Sequence, residues 1–258
     1  MERGGSGSVR FLAGCWFLAA LTCSSFGQMI SVPSGLKGPQ ANTREELDAF
    51  GVIYEAKNSP AGIAAVETFL RAYPQSGFVE YACMAAMRSY EELGNSDGAQ
   101  EMAKRTLRSN PENVDALLTM ARLLIAPGQD SAQTLKQAKS FAESGMAHLK
   151  TMSIPASANG KQWSQTKKSY LARGTFVLGL VAFREHDTSE AIRKLQAAIE
   201  LDPQGEYCYR LAIMTAETGD LQAAMNLAVK ARDLGPANVS DLATLEIKAL
   251  EKQLHSKP

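Results

Sequence analysis

Apolar residues recur with a helical period along most of the chain after residue 43. Between Leu178 and Pro203 they lie three or four positions apart, and the polar pair His186 and Asp187 interrupts them. Spacings of three and four place side chains on one face of an α-helix, and a polar interruption between two such stretches indicates a turn. The segment therefore predicts two helices joined by a short connection.

Small residues inside these helices predict close contact between them. Gly179 lies within a helical pattern, where glycine costs about 1 kcal/mol relative to alanine, so we expect another helix to cross nearby. The segment from Leu211 to Pro236 repeats the same order, and its proline follows Pro203 by 33 residues. The residues expected to pack, turn or end the helices of both copies are Gly179, Ala191, Ala198, Pro203, Ala212, Gly219, Ala224 and Pro236.

Weaker copies of the pattern lie upstream, where Tyr90, Gly94, Ala99 and Pro111 fall at matching offsets. Over residues 43–236 this order of small, large and helix-breaking residues resembles the tetratricopeptide repeat, which is about 34 residues long. The resemblance implies an all-α, right-handed superhelical solenoid of about five antiparallel helix pairs with a C-terminal capping helix. It also implies a role in binding a protein or peptide along the concave face.

The segments outside the repeats predict the compartment. A basic start, an apolar run from Phe11 to Cys23 and small residues before Gln28 are typical of a secretory signal peptide over residues 1–27. We therefore expect an exported protein, periplasmic or secreted, with no membrane span once the signal is removed. A lipid anchor at Cys15 is disfavoured because its lipobox-like sequence precedes most of the apolar run.

The remaining boundaries follow from breaks in the pattern. Residues 28–42 are predicted to be a flexible leader, 43–150 the N-terminal repeats and 151–161 a connection. Residues 162–236 then form the C-terminal repeats, and 237–258 form the capping helix and tail. Within the cap, an apolar stripe of Leu242, Leu245, Leu250 and Leu254 is expected to close the end of the solenoid.

Charge and candidate chemistry exclude several functions. Lys plus Arg and Asp plus Glu both number 27, so no net positive field favours nucleic acid. His148, His186 and His255 are far apart, and neither a phosphate-binding loop nor a paired-cysteine metal spacing occurs. We therefore predict no catalytic residue, no metal site and no cofactor. Cys83 and Cys208 are expected to be separate buried thiols.

The resemblance also indicates which side chains face the concave surface, at fixed offsets from Gly179 and its equivalents. The resulting groove residues are Arg88, Leu118, Arg122, Phe176, Leu180, Phe183, Arg184, Tyr209, Ile213 and Glu217. Aromatic and arginine side chains are enriched at the centres of protein interfaces, which favours a binding surface. In the alternative interpretation, Phe176, Leu180 and Phe183 bury one another against the adjacent helix.

Three functions are compatible with these observations. The first is an exported scaffold that binds a protein segment in the groove. The second is an envelope or outer-membrane assembly factor, because the segment FLRAYPQS is similar to repeats of bacterial envelope proteins. The third is an exported enzyme, which requires a cluster of titratable groups in one concavity, such as Tyr81, Arg88 and Arg122 with a carboxylate.

Overall fold

The computed structural model describes residues 39–56, 59–126, 128, 131–154 and 159–256, and these residues form eleven α-helices and no β-strand. The predicted signal peptide and most of the predicted leader lie outside the described residues. The helices are α1 Arg44–Glu55, α2 Pro60–Ala72, α3 Val79–Glu92, α4 Ser96–Ser109, α5 Val114–Leu124, α6 Ala132–Thr151, α7 Gly160–Arg184, α8 Thr188–Leu201, α9 Gly205–Glu217, α10 Leu221–Leu234 and α11 Ala237–Ser256.

Side-chain caps set the starts of eight helices. In each case a short polar side chain accepts a hydrogen bond from a backbone N–H of the first turn, which has no partner within the helix. At α8, for example, the Asp187 carboxylate accepts from the N–H of Glu190 at 3.0 Å. The capping residues are Thr43, Ser59, Asn95, Asn113, Ser131, Asn159, Asp187 and Asp220.

Three tight turns within helix pairs use the left-handed backbone region. Gly94 joins α3 to α4 with φ of 70°, and Gly219 joins α9 to α10 with φ of 91°. His186 occupies the equivalent position between α7 and α8 with φ of 67°, where a side chain is normally unfavourable. The three turns therefore share a left-handed residue two positions after the first helix of the pair, although one of them lacks glycine.

The pairs stack so that the odd-numbered helices form one side of the solenoid. Besides packing on its chain neighbours, α1 contacts α3, α5 contacts α7, and α9 contacts α11. Within the described residues, no two even-numbered helices are in comparable contact. A stack whose layers lie closer on one side curves toward that side, so the odd-numbered helices line the concave surface, which we call the inner face.

Small residues allow the helices of a pair to approach closely. Ala191, Ala198, Ala212 and Ala224 are completely buried. At Gly179, an added Cβ would collide with Leu195 Cδ1 and lie 3.3 Å from the Ala191 carbonyl oxygen. The other residues of this set, Pro203, Gly219 and Pro236, are exposed and each lies two residues after a helix end.

The first turns of α7 pack on the preceding pair, where Trp163 is buried with Val114, Leu118 and Leu149. The terminal helix α11 differs in part from the sequence-based expectation. In α11, Leu250 is buried and Leu254 packs against the same cluster, but Leu242 and Leu245 are exposed. The predicted four-leucine stripe was therefore wrong at these two positions, because Val239, Ala243 and Leu250 form the buried side of the cap instead.

Candidate functional site on the inner face

Three inner helices place one carboxylate between two guanidinium groups. Asp115, in the first turn of α5, accepts a hydrogen bond on one oxygen from Nε of Arg88 of α3 at 2.9 Å, and Nη2 of Arg88 lies 2.7 Å from the same oxygen in an ion pair. Its other oxygen accepts from Nη1 of Arg173, in α7, at 2.7 Å. Because each partner comes from a different helix pair, this carboxylate joins three successive layers of the stack.

The ionisation of Asp115 follows from these contacts. Burial opposes the charged form, but the guanidinium groups of Arg173 and Arg88 outweigh it and hold the pKa of Asp115 below its ordinary value. A second bond from Arg173, to the Thr119 hydroxyl at 2.9 Å, fixes that guanidinium on α5. Asp115 is therefore a permanent anion at neutral pH.

A second ion pair connects α3 and α5, one to two helical turns beyond Arg88 and Asp115. Arg122 of α5 donates to the carboxylate of Glu91 of α3 at 2.6 Å. Arg88 and Glu91 occupy one face of α3, and Asp115 and Arg122 occupy one face of α5. We call the five residues Arg88, Glu91, Asp115, Arg122 and Arg173 the arginine cluster.

Exposure within the arginine cluster differs between the two signs of charge. The Asp115 side chain is 5% exposed and that of Glu91 is 19% exposed. The side chains of Arg88 and Arg122 are 52% and 37% exposed. The carboxylates lie beneath the guanidinium groups, so a molecule on this part of the inner face meets mainly N–H donors.

The pKa values of Asp115 and of the neighbouring Tyr170 are both shifted away from neutral pH. Tyr170 lies beside the arginine cluster, with its ring 5.9 Å from the Arg173 guanidinium. Burial, and then the charge of Asp115, raise the pKa of Tyr170. The shifts of Asp115 and Tyr170 both lead away from neutrality, whereas general acid–base catalysis favours a pKa near the working pH.

In the described part of the chain, no group of His, Cys, Asp and Glu residues could hold a metal ion.

Exposed apolar side chains lie on the inner helices at the N-terminal end. Leu47 and Tyr54 of α1 and Tyr81 of α3 are each about two-fifths to one-half exposed. Leu47 and Tyr54 are seven residues apart, which places them on one side of α1. We call these three residues the tyrosine patch. Tyr81 and Arg88 are also seven residues apart, so the patch and the arginine cluster share one face of α3.

The C-terminal part of the inner face contains a shallow depression. It is an open concavity of about 600 Å³ between the α7–α8 turn and the end of α9. The structure thus brings together three of the predicted groove residues with two turn residues. The lining consists of Phe183, Arg184, His186, Thr188 and Glu217.

Two predicted groove residues are buried and cannot contact a partner. Phe176 stacks on Tyr207, with ring centroids 4.3 Å apart, and Leu118 packs against the backbone positions of Gly145 and Gly174. Placing them in the groove was wrong because Tyr207 of α9 covers Phe176, and α6 and α7 cover Leu118. Leu180, Tyr209 and Ile213 are half-buried, and Leu180 and Phe183 also pack against the core, as the alternative interpretation expected.

Sequence reasoning missed Asp115, Arg173 and Glu91. Asp115 lies three residues before Leu118, and Arg173 lies three residues before Phe176. Extending the inner stripe by one helical turn would have found both. Glu91 lies three residues after Arg88 on the same stripe.

Comparison with known families agrees with this geometry. A family model described as tetratricopeptide repeat matches residues 84–128 and 176–239. The described part of the chain has the fold of a tetratricopeptide-repeat (TPR) solenoid. The expected all-α repeat fold is therefore confirmed, and the TPR fold supports a role as a protein–protein interaction scaffold. Comparison with curated protein sequences gives no significant match.

Solved TPR structures resemble this solenoid along most of its length. A TPR protein from the thermophile Thermus thermophilus is 21% identical with a TM-score of 0.48, covering 80% of this chain and 94% of that one. MamA from Desulfovibrio magneticus RS-1 is 16% identical with a TM-score of 0.52, covering 75% and 97%. Yeast Tom70 is 14% identical with a TM-score of 0.52, covering 83% of this chain but 41% of Tom70. At these identities the likeness concerns the fold.

Proposed function

We propose that this TPR solenoid is an exported scaffold that binds an extended segment of another protein along its inner face. The observation that carries the proposal is the orientation of the arginine cluster. Arg88 and Arg122 are half-exposed, yet ion pairs to Asp115 and Glu91 hold them in place. Side chains that are ordered before binding lose less conformational entropy when a partner arrives.

Unused hydrogen-bonding capacity supports the same proposal. A guanidinium group has five N–H donors, and the bonds to Asp115 and Glu91 use only part of those on Arg88 and Arg122. An extended backbone offers carbonyl acceptors at regular intervals. The half-buried side chains of Leu180, Tyr209 and Ile213 add apolar contact area further along the inner face.

Site-specific photo-crosslinking in the source cells tests where a partner binds. A photoreactive amino acid at Ile213 or Tyr209, on the inner face, is expected to capture a protein partner. The same amino acid at Gln196, which is exposed on the even-numbered helix α8, serves as the matched control. Capture from Gln196 but from neither inner position would place the binding surface elsewhere and overturn the proposal.

Export is tested separately. The apolar run before Gln28 supports removal of residues 1–27. Within the described residues, no helix is both long and apolar enough to cross a membrane. N-terminal sequencing of the protein from cells is expected to begin at Gln28 or within one or two residues of it. A mature chain that begins with a lipid-modified Cys15 would contradict this and indicate membrane anchoring.

A further inference from the structure

We infer that the segment bound on the inner face carries an acidic side chain about three residues from an apolar one. The carboxylate binds the arginine cluster between Arg88 and Arg122, and the apolar side chain packs on the tyrosine patch. This inference rests on the proposed function, because it specifies the chemistry of the segment that the same face binds.

Charge complementarity carries the first half of the inference. The arginine cluster contains three guanidinium groups and two carboxylates, and both carboxylates lie beneath the arginines. Glu80, which precedes Tyr81 on α3, accepts hydrogen bonds from Asn110 and Asn113 and is thereby held at the α4–α5 turn. An incoming carboxylate therefore meets oriented N–H donors, with which it forms short, charge-assisted bonds.

Exposed apolar area carries the second half. Phe50 lies beneath the tyrosine patch and contacts the Tyr54 ring edge-on, with centroids 5.3 Å apart. Tyr54 is 47% exposed although its ring rests on this packed core. A tyrosine held in this way offers contact area at little cost in side-chain entropy, which is typical of residues that anchor a bound segment.

The geometry of α3 sets the spacing between the two contacts. Tyr81 and Arg88 are seven residues apart, and a rise of 1.5 Å per residue separates them by about 10 Å along the helix. An extended chain advances roughly 3.3 Å per residue, so three residues of a bound segment span about this distance. The inner face therefore selects for the distance between the acidic and the apolar residue as well as for their presence.

Defined peptides and the full chain test the inference. The probe is a fluorescently labelled Gly/Ser dodecapeptide, blocked at both ends, with one Phe and one Asp three positions apart, measured by fluorescence anisotropy. We expect at least tenfold tighter binding than for peptides in which Asn replaces Asp, Ser replaces Phe, or the two residues are adjacent. Equal binding of the Asn peptide would overturn the inference.

Protein variants locate the contacts. Arg122→Gln and, independently, Tyr81→Ser are each expected to weaken binding of the Phe/Asp peptide by tenfold or more. Arg105→Gln is the matched control, because Arg105 is also paired with a glutamate but lies on α4, outside the inner face. Circular dichroism and thermal melting confirm that each variant is folded. Unchanged binding by both inner-face variants would overturn the inference.

Other occupants give different results. A peptide that lacks Asp but has a free terminal carboxylate, if it binds while the blocked Phe/Asp peptide does not, identifies the chain end as the ligand and overturns the inference. A full-chain dimer in sedimentation experiments that Arg122→Gln dissociates identifies a second copy instead, with the same consequence. If no peptide binds but Ile213 still crosslinks to a partner, the inference fails and the proposed function stands.

Discussion

Two connections between successive helix pairs use different chemistry, although both involve α7 and lie one helical turn apart. Arg173 connects α7 to α5 through the buried Asp115 carboxylate, which Arg88 also contacts from α3. Phe176 connects α7 to α9 by stacking on Tyr207. We call the first the charged seam and the second the aromatic seam.

The difference concerns what each seam contributes. Burying stacked rings removes apolar area from water and stabilises the fold at both acidic and neutral pH. A buried ion pair gains little net stability, because desolvation offsets most of the attraction, but it requires one arrangement of its donors. The aromatic seam therefore provides stability, whereas the charged seam fixes the orientation of the arginines on the inner face.

The largest expected effect is on the aromatic seam. Phe176→Ala removes a buried ring and its stacking contact with Tyr207, so the free energy of unfolding should fall by about 3–5 kcal/mol. Urea unfolding measures the change. Phe183→Ala, in the same helix but only partly buried, is the matched control and should lose less. Equal losses would show that the stack has no special role.

The charged seam should respond more weakly. Asp115→Asn leaves Arg88 and Arg173 without their shared anion, and breaking a fully buried pair costs about 3–5 kcal/mol. Because both arginines remain partly exposed to water, we expect a loss of about 2 kcal/mol by urea unfolding. Binding of the Phe/Asp peptide should also weaken as the arginines lose their orientation. A variant with wild-type stability and wild-type peptide binding would contradict the assigned role of Asp115.

Acid should distinguish the two seams. The arginines lower the pKa of Asp115 in the folded state, so its contribution to stability is present above the ordinary carboxyl range and is lost as pH falls toward that lowered pKa. The stability difference between wild type and Asp115→Asn should therefore shrink between pH 5 and pH 2, by about 1 kcal/mol or more. The difference for Phe176→Ala should stay constant. Urea unfolding at each pH checks both.

The smallest effect is expected for an arginine–carboxylate pair outside both seams. Arg193 pairs with Glu190 at 2.6 Å on the surface of α8, where water and salt screen the attraction. Arg193→Gln should leave the melting temperature unchanged within error and should leave peptide binding unaltered. A marked loss would show that burial is not what separates Asp115 from ordinary surface pairs.

The repeat pattern made most of the fold predictable from sequence. Alanine and glycine at fixed offsets have a mechanical role, because at Gly179 even one added carbon would collide with Leu195. The eleven helices of the described residues follow from these offsets together with the capping residues. Which side of α11 is buried was less predictable. The last helix of the stack packs on one neighbouring layer, so Leu242 and Leu245 can remain exposed.

The candidate site was only partly predictable. Offsets within one repeat located Arg88 and Arg122, but whether an offset is buried depends on how closely the next layer approaches. The approach of neighbouring layers buries Phe176 and Leu118. It also places Asp115 between two arginines that lie 27 and 58 residues away in sequence. No local pattern encodes such contacts, because each depends on the curvature of the whole stack.

The two buried cysteines are natural chemical probes of local opening in the solenoid. Cys83 in α3 and Cys208 in α9 are both unpaired and inaccessible, and burial raises the pKa of the Cys83 thiol to about 11. An alkylating reagent can modify either thiol only after its own layer opens. Because a repeat array can open one layer at a time, the modification rates at the two sites, separated by mass spectrometry, give the opening free energy of each end of the stack independently.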